Sequence, residues 1–397
     1  MNFVFVSPHF PDSYFRFVKA LKNNGVTVLG IGDKPFSELN PELRDSLAYY
    51  YYVTDLKDMN QKRSAMRFFI ERFGKIDYVE SNNEYWLEDD ALLRSEFNIT
   101  TGPLDSEIGF FKYKSQMKKD YEKAGIKTAR WTLVTSRDEL LSFIDKVKYP
   151  IIVKPDNGVG ASKTHALHNL DEVNYFLHTK NPVITYIAEE FIDGDLISFD
   201  GICDSKGHVV YPVHHVFPTP VMDIVNEAKD CIYYTSPIIP DYLKDAGQRV
   251  IKAFGAKSRF FHLEFFILRN DKEGLGQKGD LIGLEVNMRV PGGYTPDLIN
   301  FAYSIDIYQI WADIIAFDFN RQVSPYKKTY CCYVGRRNYV AYRHYYEEIM
   351  TRYKDNVVWT QGMPDALSDA MGNYFFMAKF EDKTKMDEYI EFLTQRR

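Results

Sequence analysis

Glu285, Asn287 and Arg289 occupy alternate positions in the stretch Leu284-Glu285-Val286-Asn287-Met288-Arg289-Val290-Pro291-Gly292-Gly293. On a strand they share one face. A carboxylate beside an amide oxygen suits Mg²⁺, a hard cation that takes oxygen ligands. An arginine beyond them suits a phosphate or an oxyanion through its rigid bidentate fork. Gly292 and Gly293 can bring backbone N–H groups close to a ligand. The competing interpretation is an exposed strand face ending in a glycine turn. Upstream, Phe260-Phe261-His262-Leu263-Glu264-Phe265-Phe266 places His262 and Glu264 on one face of a second strand. A carboxylate in so apolar a run is costly to bury unless it is paired or metal-bound. If Asp271–Asp280 is the turn of a hairpin, Glu264 and Glu285 reach one metal site. His262, standing alone, fits a structural role better than a ligand.

A second set lies earlier. Lys154 ends the apolar run Ile151-Ile152-Val153 and leads into Pro155-Asp156-Asn157-Gly158-Val159-Gly160-Ala161-Ser162-Lys163. Glycines there can let backbone N–H groups cover phosphates. The stretch is not a Walker A loop, because GxxxxGK[ST] is absent. In Ala188-Glu189-Glu190-Phe191-Ile192-Asp193-Gly194, a carboxylate followed by an apolar edge can accept from the exocyclic amine of adenine. Lys114 sits one residue from the apolar stripe Tyr113, Met117, Tyr121 of a helical segment; with Lys112, Lys118 and Lys119 around it, a solvated lysine is the simpler interpretation.

These groups need a frame. At about 150 residues per domain, 397 residues imply two or three domains. The 45% hydrophobic and 26% charged composition excludes a disordered or collagen-like chain. Lys and Arg total 49 against 55 Asp and Glu, a net charge of −6, so the broad positive field of a nucleic-acid binder is missing. An anionic ligand must be held locally. Cys203, Cys231, Cys331 and Cys332 lack CxxC spacing, which argues against zinc or redox motifs. The start MNFVFVSPHF does not have the form of a signal peptide, and no run of about 18 apolar residues suggests a membrane span. The expectation is a cytoplasmic protein with reduced thiols. Over the first hundred residues, strand patterns at Asn2–Val6, Val26–Ile31 and Ile76–Glu80 alternate with helical ones, as in a parallel sheet with crossover helices. The first turn, Ser7-Pro8-His9-Phe10-Pro11, lacks GxGxxG, against a nicotinamide cofactor.

In chain order, Lys114, Lys154 with its glycine loop, Glu189 with Ile192, Glu264, and Glu285 to Arg289 resemble the ATP-grasp superfamily, nearest its carboxylate–amine ligases of the carbamoyl-phosphate-synthase and biotin-carboxylase-like branch. The likeness runs from about Lys114 to Leu298. It implies an α/β and α+β fold: a Rossmann-like pre-ATP-grasp domain (1–102), an ATP-grasp domain (103–329) with an ATP-binding lid at about 128–195, and a small α+β C-terminal extension (330–397). It implies that Lys114, Lys154, Gly158, Gly160, Ser162 and Lys163 hold ATP phosphates, that Glu189 accepts from adenine N6, and that Ile192 gives backbone contact. Glu264, Glu285 and Asn287 would hold two Mg²⁺ ions, which Mn²⁺ could replace. Arg289 and Lys154 would be catalytic. Arg289, Gly292, Gly293 and His262 would meet substrate.

The implied reaction is ATP-dependent joining of a small carboxylate to an amine through an acyl phosphate, releasing ADP and phosphate, with no nucleic-acid or membrane partner and with a homodimer allowed. Two alternatives stand beside it: a bicarbonate-phosphorylating enzyme, and a nucleotide-binding protein without ligase turnover. One departure is that Leu196 stands where many members have a ribose-binding carboxylate, with Asp195 one residue before. Residues 210–240, with His214, His215, Asp223 and Tyr233, are candidates for substrate selection, although an ordinary aromatic-rich surface segment explains them more simply.

Overall fold

The computed structural model describes residues 1–158, 164–219, 229–322 and 327–397. The N-terminal sheet comprises β1 (Asn2–Val6), β2 (Thr27–Gly32), β3 (Tyr49–Tyr52) and β4 (Tyr78–Glu80), all parallel, in the order β3-β2-β1-β4. Its strands are apolar on both faces because both faces are covered. Phe3 and Phe5 enter one core with Phe17 and Trp311, and Val4 and Val6 enter another with Phe69 and Leu93.

A second sheet consists of β6 (Trp131–Leu133), β7 (Ile151–Pro155), β8 (His165–Leu167) and β9 (Tyr186–Glu190), antiparallel, in the order β6-β9-β7-β8. The helices Arg137–Val147 and Leu170–Thr179 cover it. Ile151 and Val153 point into that core with Leu140 and Phe176. By strand alternation, Ile152 and Lys154 point the other way, and both line the main cavity.

The third sheet has nine strands in the order β16-β17-β15-β12-β11-β10-β13-β14-β5. They are β5 (Lys127–Thr128), β10 (Gly194–Cys203), β11 (Val209–Phe217), β12 (Cys231–Thr235), β13 (Arg259–Leu268), β14 (Leu281–Asn287), β15 (Tyr330–Arg336), β16 (Val357–Gly362) and β17 (Tyr374–Phe380). The sheet continues across residue 330: β12 pairs with β15 from Cys231↔Gly335 to Thr235↔Cys331. The C-terminal strands therefore widen the central sheet rather than forming a layer of their own. Cys331 and Cys332 are neighbouring strand residues in two different cores, and all four cysteines are free and buried. Among the described residues no helix is long and apolar enough to cross a membrane.

The helix Asp241–Phe254 buries Leu243, Ala246, Val250, Ile251 and Phe254 on one stripe against this sheet. Gly247 lies in the stripe because Phe199 of β10 fills the space: a Cβ there would come 2.1 Å from the ring. Gly247→Ala is therefore expected to cost about 1–3 kcal/mol by overpacking, despite the better helix propensity of alanine. Urea unfolding should show an earlier midpoint with an unchanged slope.

Candidate active site

The hairpin β13–β14 forms, and its register sets the acidic face. Glu264 pairs with Glu285, and His262 with Asn287. Directly opposed residues of an antiparallel pair share a face. Past this point the register shifts, because Phe265 pairs with Gly283 and Leu284 is left as the extra residue. This bulge lets Ile282 and Glu285, three apart, both face the cavity. The hairpin is fastened from behind by the buried Tyr121, whose phenol lies 3.2 Å from the Glu264 carbonyl and 3.0 Å from that of Glu285. Its ring uses the space left by Gly283, where a Cβ would come 2.6 Å from it.

Three buried lysines face the hairpin. Lys114 Nζ is 3.1 Å from Glu285 Oε1 and donates to the Gly158 carbonyl at 3.0 Å. Lys118 Nζ is 2.6 Å from one oxygen of Glu189, and Lys154 Nζ is 2.7 Å from the other. Asp156 joins the two lysine-bearing segments. Its carboxylate accepts from Ser115 N and Ser115 Oγ, each at 2.7 Å, and its carbonyl accepts from Lys114 N at 3.0 Å. It thereby ties the start of the helix Lys114–Lys123 to the end of β7.

The lysines differ electrostatically. Burial lowers the Lys114 pKa, but Glu285 more than restores it, so the group lies above the usual lysine value. For Lys118 burial outweighs Glu189, and its pKa lies below the usual value. Burial pushes Glu285 up, yet Lys114 and Lys154 bring it below the ordinary glutamate value. Burial likewise opposes ionisation of Glu189, and Lys118 and Lys154 reverse that, taking it to about 2. Both oxygens of the carboxylate that the resemblance assigned to adenine N6 are thus engaged by ammonium groups. The neighbouring Glu190 turns away and is gripped by Arg130 at 2.7 Å. Beyond it, Ile192 is buried and its peptide makes no backbone hydrogen bond among the described residues.

His262 belongs to a buried polar group. Asp200 of β10 lies opposite it and bonds His262 Nδ1 through one oxygen and His215 Nδ1 through the other. Ser198 also donates to Asp200. The far nitrogen of His262 is 3.4 Å from Glu264 Oε1. Burial disfavours the charged ring, but Asp200 overrides it and lifts the His262 pKa to about 10. Asp200 thus favours the charged ring, which can donate to Glu264 or to a substrate oxygen.

Arg289 follows the acidic face, donates to the Val290 carbonyl at 2.9 Å, and pairs with Glu84 from the loop after β4. Nearby, Glu80 at the end of β4 accepts from Arg259 at 2.8 Å. Two N-terminal carboxylates thus hold Arg259 of β13 and Arg289 just beyond β14.

Lys114, Lys154, Glu189, Ile192, His262, Glu264, Glu285, Asn287, Arg289, Gly292 and Gly293 all line one cavity of about 590 Å³. Gly158 joins them through Lys114. Gly160, Ser162, Lys163 and Asp223 lie outside the described residues. Leu196 lines the cavity, while Asp195 is held outside it by Arg269 at 2.7 Å. Tyr233 lines it too, whereas His214 turns to the Ser198 carbonyl at 2.9 Å. Sequence reasoning missed Glu84 and Asp200 as parts of this constellation, named His215 only as a candidate for substrate selection, and treated Lys118 as solvated. The i, i+4 spacing of Lys114 and Lys118 was a usable signal, since it puts both on one helix face.

Glu264, Glu285 and Asn287 offer oxygen donors from adjacent positions, as Mg²⁺ requires. No preformed cluster of three His, Cys, Asp or Glu suited to a metal occurs among the described residues. That fits an ion whose remaining ligands are water and substrate phosphate.

No protein-family model matches the chain. In sequence it is 25% identical over 291 residues to the L-arginine-specific L-amino acid ligase of Bacillus subtilis, a match covering 71% of this chain and 68% of that one. In structure it is similar to an L-amino acid ligase from Bacillus licheniformis, with a TM-score of 0.71 at 15% identity over 98% of this chain and 96% of that one. It is also similar to the biotin carboxylase domain of the Hydrogenobacter thermophilus 2-oxoglutarate carboxylase, solved with MgADP and bicarbonate, with a TM-score of 0.66 at 15% identity over 98% of this chain and 90% of that one. Two further curated ligases are matched over 60% and 54% of their length. Fold, relatives and the order of the site residues agree: the chain has the fold of the ATP-grasp proteins and is similar in sequence to ATP-dependent ligases that form carbon–nitrogen bonds.

Proposed function

We propose that the chain joins a small carboxylate to an amine at the expense of ATP, through an acyl phosphate. The observation that carries this is the opposed pair Glu264–Glu285 with Asn287, lining one cavity with the buried Lys114 and Lys154, while the buried Lys118 holds Glu189 behind them. Without ligand these charges satisfy one another. A metal–triphosphate brings both signs at once and can replace those partners in kind.

In this reading the hinge peptide of Ile192 meets the adenine edge, and Glu189 holds Lys118 and Lys154 toward the phosphates. Lys114 bridges the glycine loop and Glu285. Glu264, Glu285 and Asn287 would hold two Mg²⁺ ions, which when bound would supply positive charge to the phosphates. The substrate carboxylate attacks that phosphorus, and ADP departs. Arg289, fixed by Glu84, steadies the transferred phosphoryl oxygens. The amine nitrogen then attacks the acyl carbon. The C–N bond forms, the C–O bond to phosphate breaks, and phosphate and one proton leave. Leu196, on the wall where a ribose carboxylate is common, gives the sugar hydroxyls no anion.

The test is ADP release over a matrix of small carboxylates crossed with amines, with ATP and Mg²⁺. Release that requires both substrates is the expected result. Release with bicarbonate and no other carboxylate would replace this reading with a bicarbonate-phosphorylating one. ATP binding without ADP release under any mixture would leave a nucleotide-binding protein.

A further inference from the structure

One end of the cavity is built of hydrocarbon. Phe217 on β11 stacks on Tyr233 of β12 with centroids 5.6 Å apart, and Tyr233 stacks on Tyr333 of β15 at 5.0 Å. The Tyr233 hydroxyl is already engaged, 3.0 Å from Thr295 Oγ1. The segment Asp365–Met371 supplies Leu367 and Met371 to the same cavity. Met371 lies over Gly293, where a Cβ would come 2.3 Å from its sulfur. This roof is pinned: Arg337 donates to the carbonyls of Ser368 and Asp369 at 2.7 and 2.8 Å, and Tyr333 donates to that of Met371 at 2.9 Å. Among the described residues, the charged side chains that line the cavity all belong to the lysine, acidic, hinge and Arg289–Glu84 groups. None lies on β11, β12 or the roof.

We propose that this end is the side-chain subsite of the carboxylate substrate, that it takes an uncharged aliphatic or aromatic group, and that Leu367 and Met371 set its length. The assignment rests on the ligase reading above. Gly292 and Gly293 stand three and four residues after Arg289 and line the same cavity, with Met371 against Gly293, so a carboxylate held at Arg289 would direct its side chain toward Met371. A charged side chain here would lose its hydration with no charged partner among the described residues to replace it. A hydrocarbon group gains by leaving water, and one methylene changes kcat/KM by about 10-fold or more in such a pocket.

The test is kcat/KM for ADP release with amino acids of increasing hydrocarbon side chain, against ones with basic or acidic side chains. The hydrocarbon series should climb and then fall once the pocket is full, with charged members at least about 10²-fold lower. Leu367 is only half-buried, so Leu367→Glu should fold. It is expected to lose at least about 10-fold on the best hydrocarbon substrate, to gain on a basic one, and to keep the KM for ATP. Met371→Ala should move the optimum to a longer side chain.

The same series titrated calorimetrically, with a non-hydrolysable ATP analogue present, reads the preference without turnover. ADP release with charged side chains only would overturn the subsite and leave the ligase reading intact. No ADP release with any acid would overturn the ligase reading; calorimetric binding of the hydrocarbon series would then still support the subsite, and its absence would overturn that too. Equal losses on all side chains in both variants would show a merely structural roof.

Discussion

Glu285→Ala lowers kcat for ADP release by at least about 10²-fold, the loss seen when a preorganised electrostatic group is removed from a reacting centre. Glu285 is the one acidic residue here that faces both Glu264 and Lys114. Alanine removes an oxygen ligand and also frees the Lys114 ammonium from its partner. The two effects separate by measurement. Loss of metal affinity raises the Mg²⁺ concentration needed for half-maximal rate, whereas misplacement of Lys114 raises the KM for ATP. Glu285→Gln keeps the shape and a single oxygen acceptor, so it should fold like the wild type and still lose most of the rate. Steady-state ADP release across a Mg²⁺ series checks both variants, and unchanged turnover would remove Glu285 from the site.

Glu189→Ala has the largest expected effect on stability. The change strands two buried ammonium groups, Lys118 and Lys154, in a space that one carboxylate now serves. Removing one partner of a buried ionic group costs about 3–5 kcal/mol. The sign of the pH dependence follows from the depressed pKa, about 2 against an ordinary 4.5. A carboxylate shifted down contributes stability that is present above its unfolded pKa and is lost as pH falls toward the folded one. The stability gap between wild type and Glu189→Ala should therefore be flat from about pH 6 to 8 and narrow below about pH 4.5. Urea unfolding of both proteins across that range measures it. A gap that widened in acid would contradict the ion-pair account.

The sequence carried the strand residues well and the cross-chain partners poorly. Glu264, Glu285 and Asn287 were legible because period-two alternation fixes a face within one strand, and the polar Asp271–Asp280 turn announces the hairpin. The bulge at Leu284 was not legible, because it depends on which residue of β13 each residue of β14 meets. Lys114 and Lys118 looked solvated, since a basic helix segment gives no sign that a glutamate 71 residues beyond Lys118 will cover it. Asp200 was invisible for a similar reason: β10 to β12 were not read as strands, and its two histidine partners come from neighbouring strands on either side. Glu84 lies in the N-terminal α/β region, and only the packing of that region on the central sheet brings it to Arg289. The tail after Tyr330 had a readable mixture of strands and helices, but not its place as the continuation of the central sheet. Strand pairing between residues about a hundred apart leaves no local pattern.

The most direct test of the central claim is the fate of oxygen. The purified chain is incubated with ATP, Mg²⁺, an amine and a carboxylate labelled with ¹⁸O in both oxygens, and the released phosphate is analysed by mass spectrometry. Acyl-phosphate chemistry predicts that each amide formed is matched by one phosphate bearing a single ¹⁸O from the carboxylate, with ADP as the other product. Label in AMP, or amide formation with unlabelled phosphate, would contradict it.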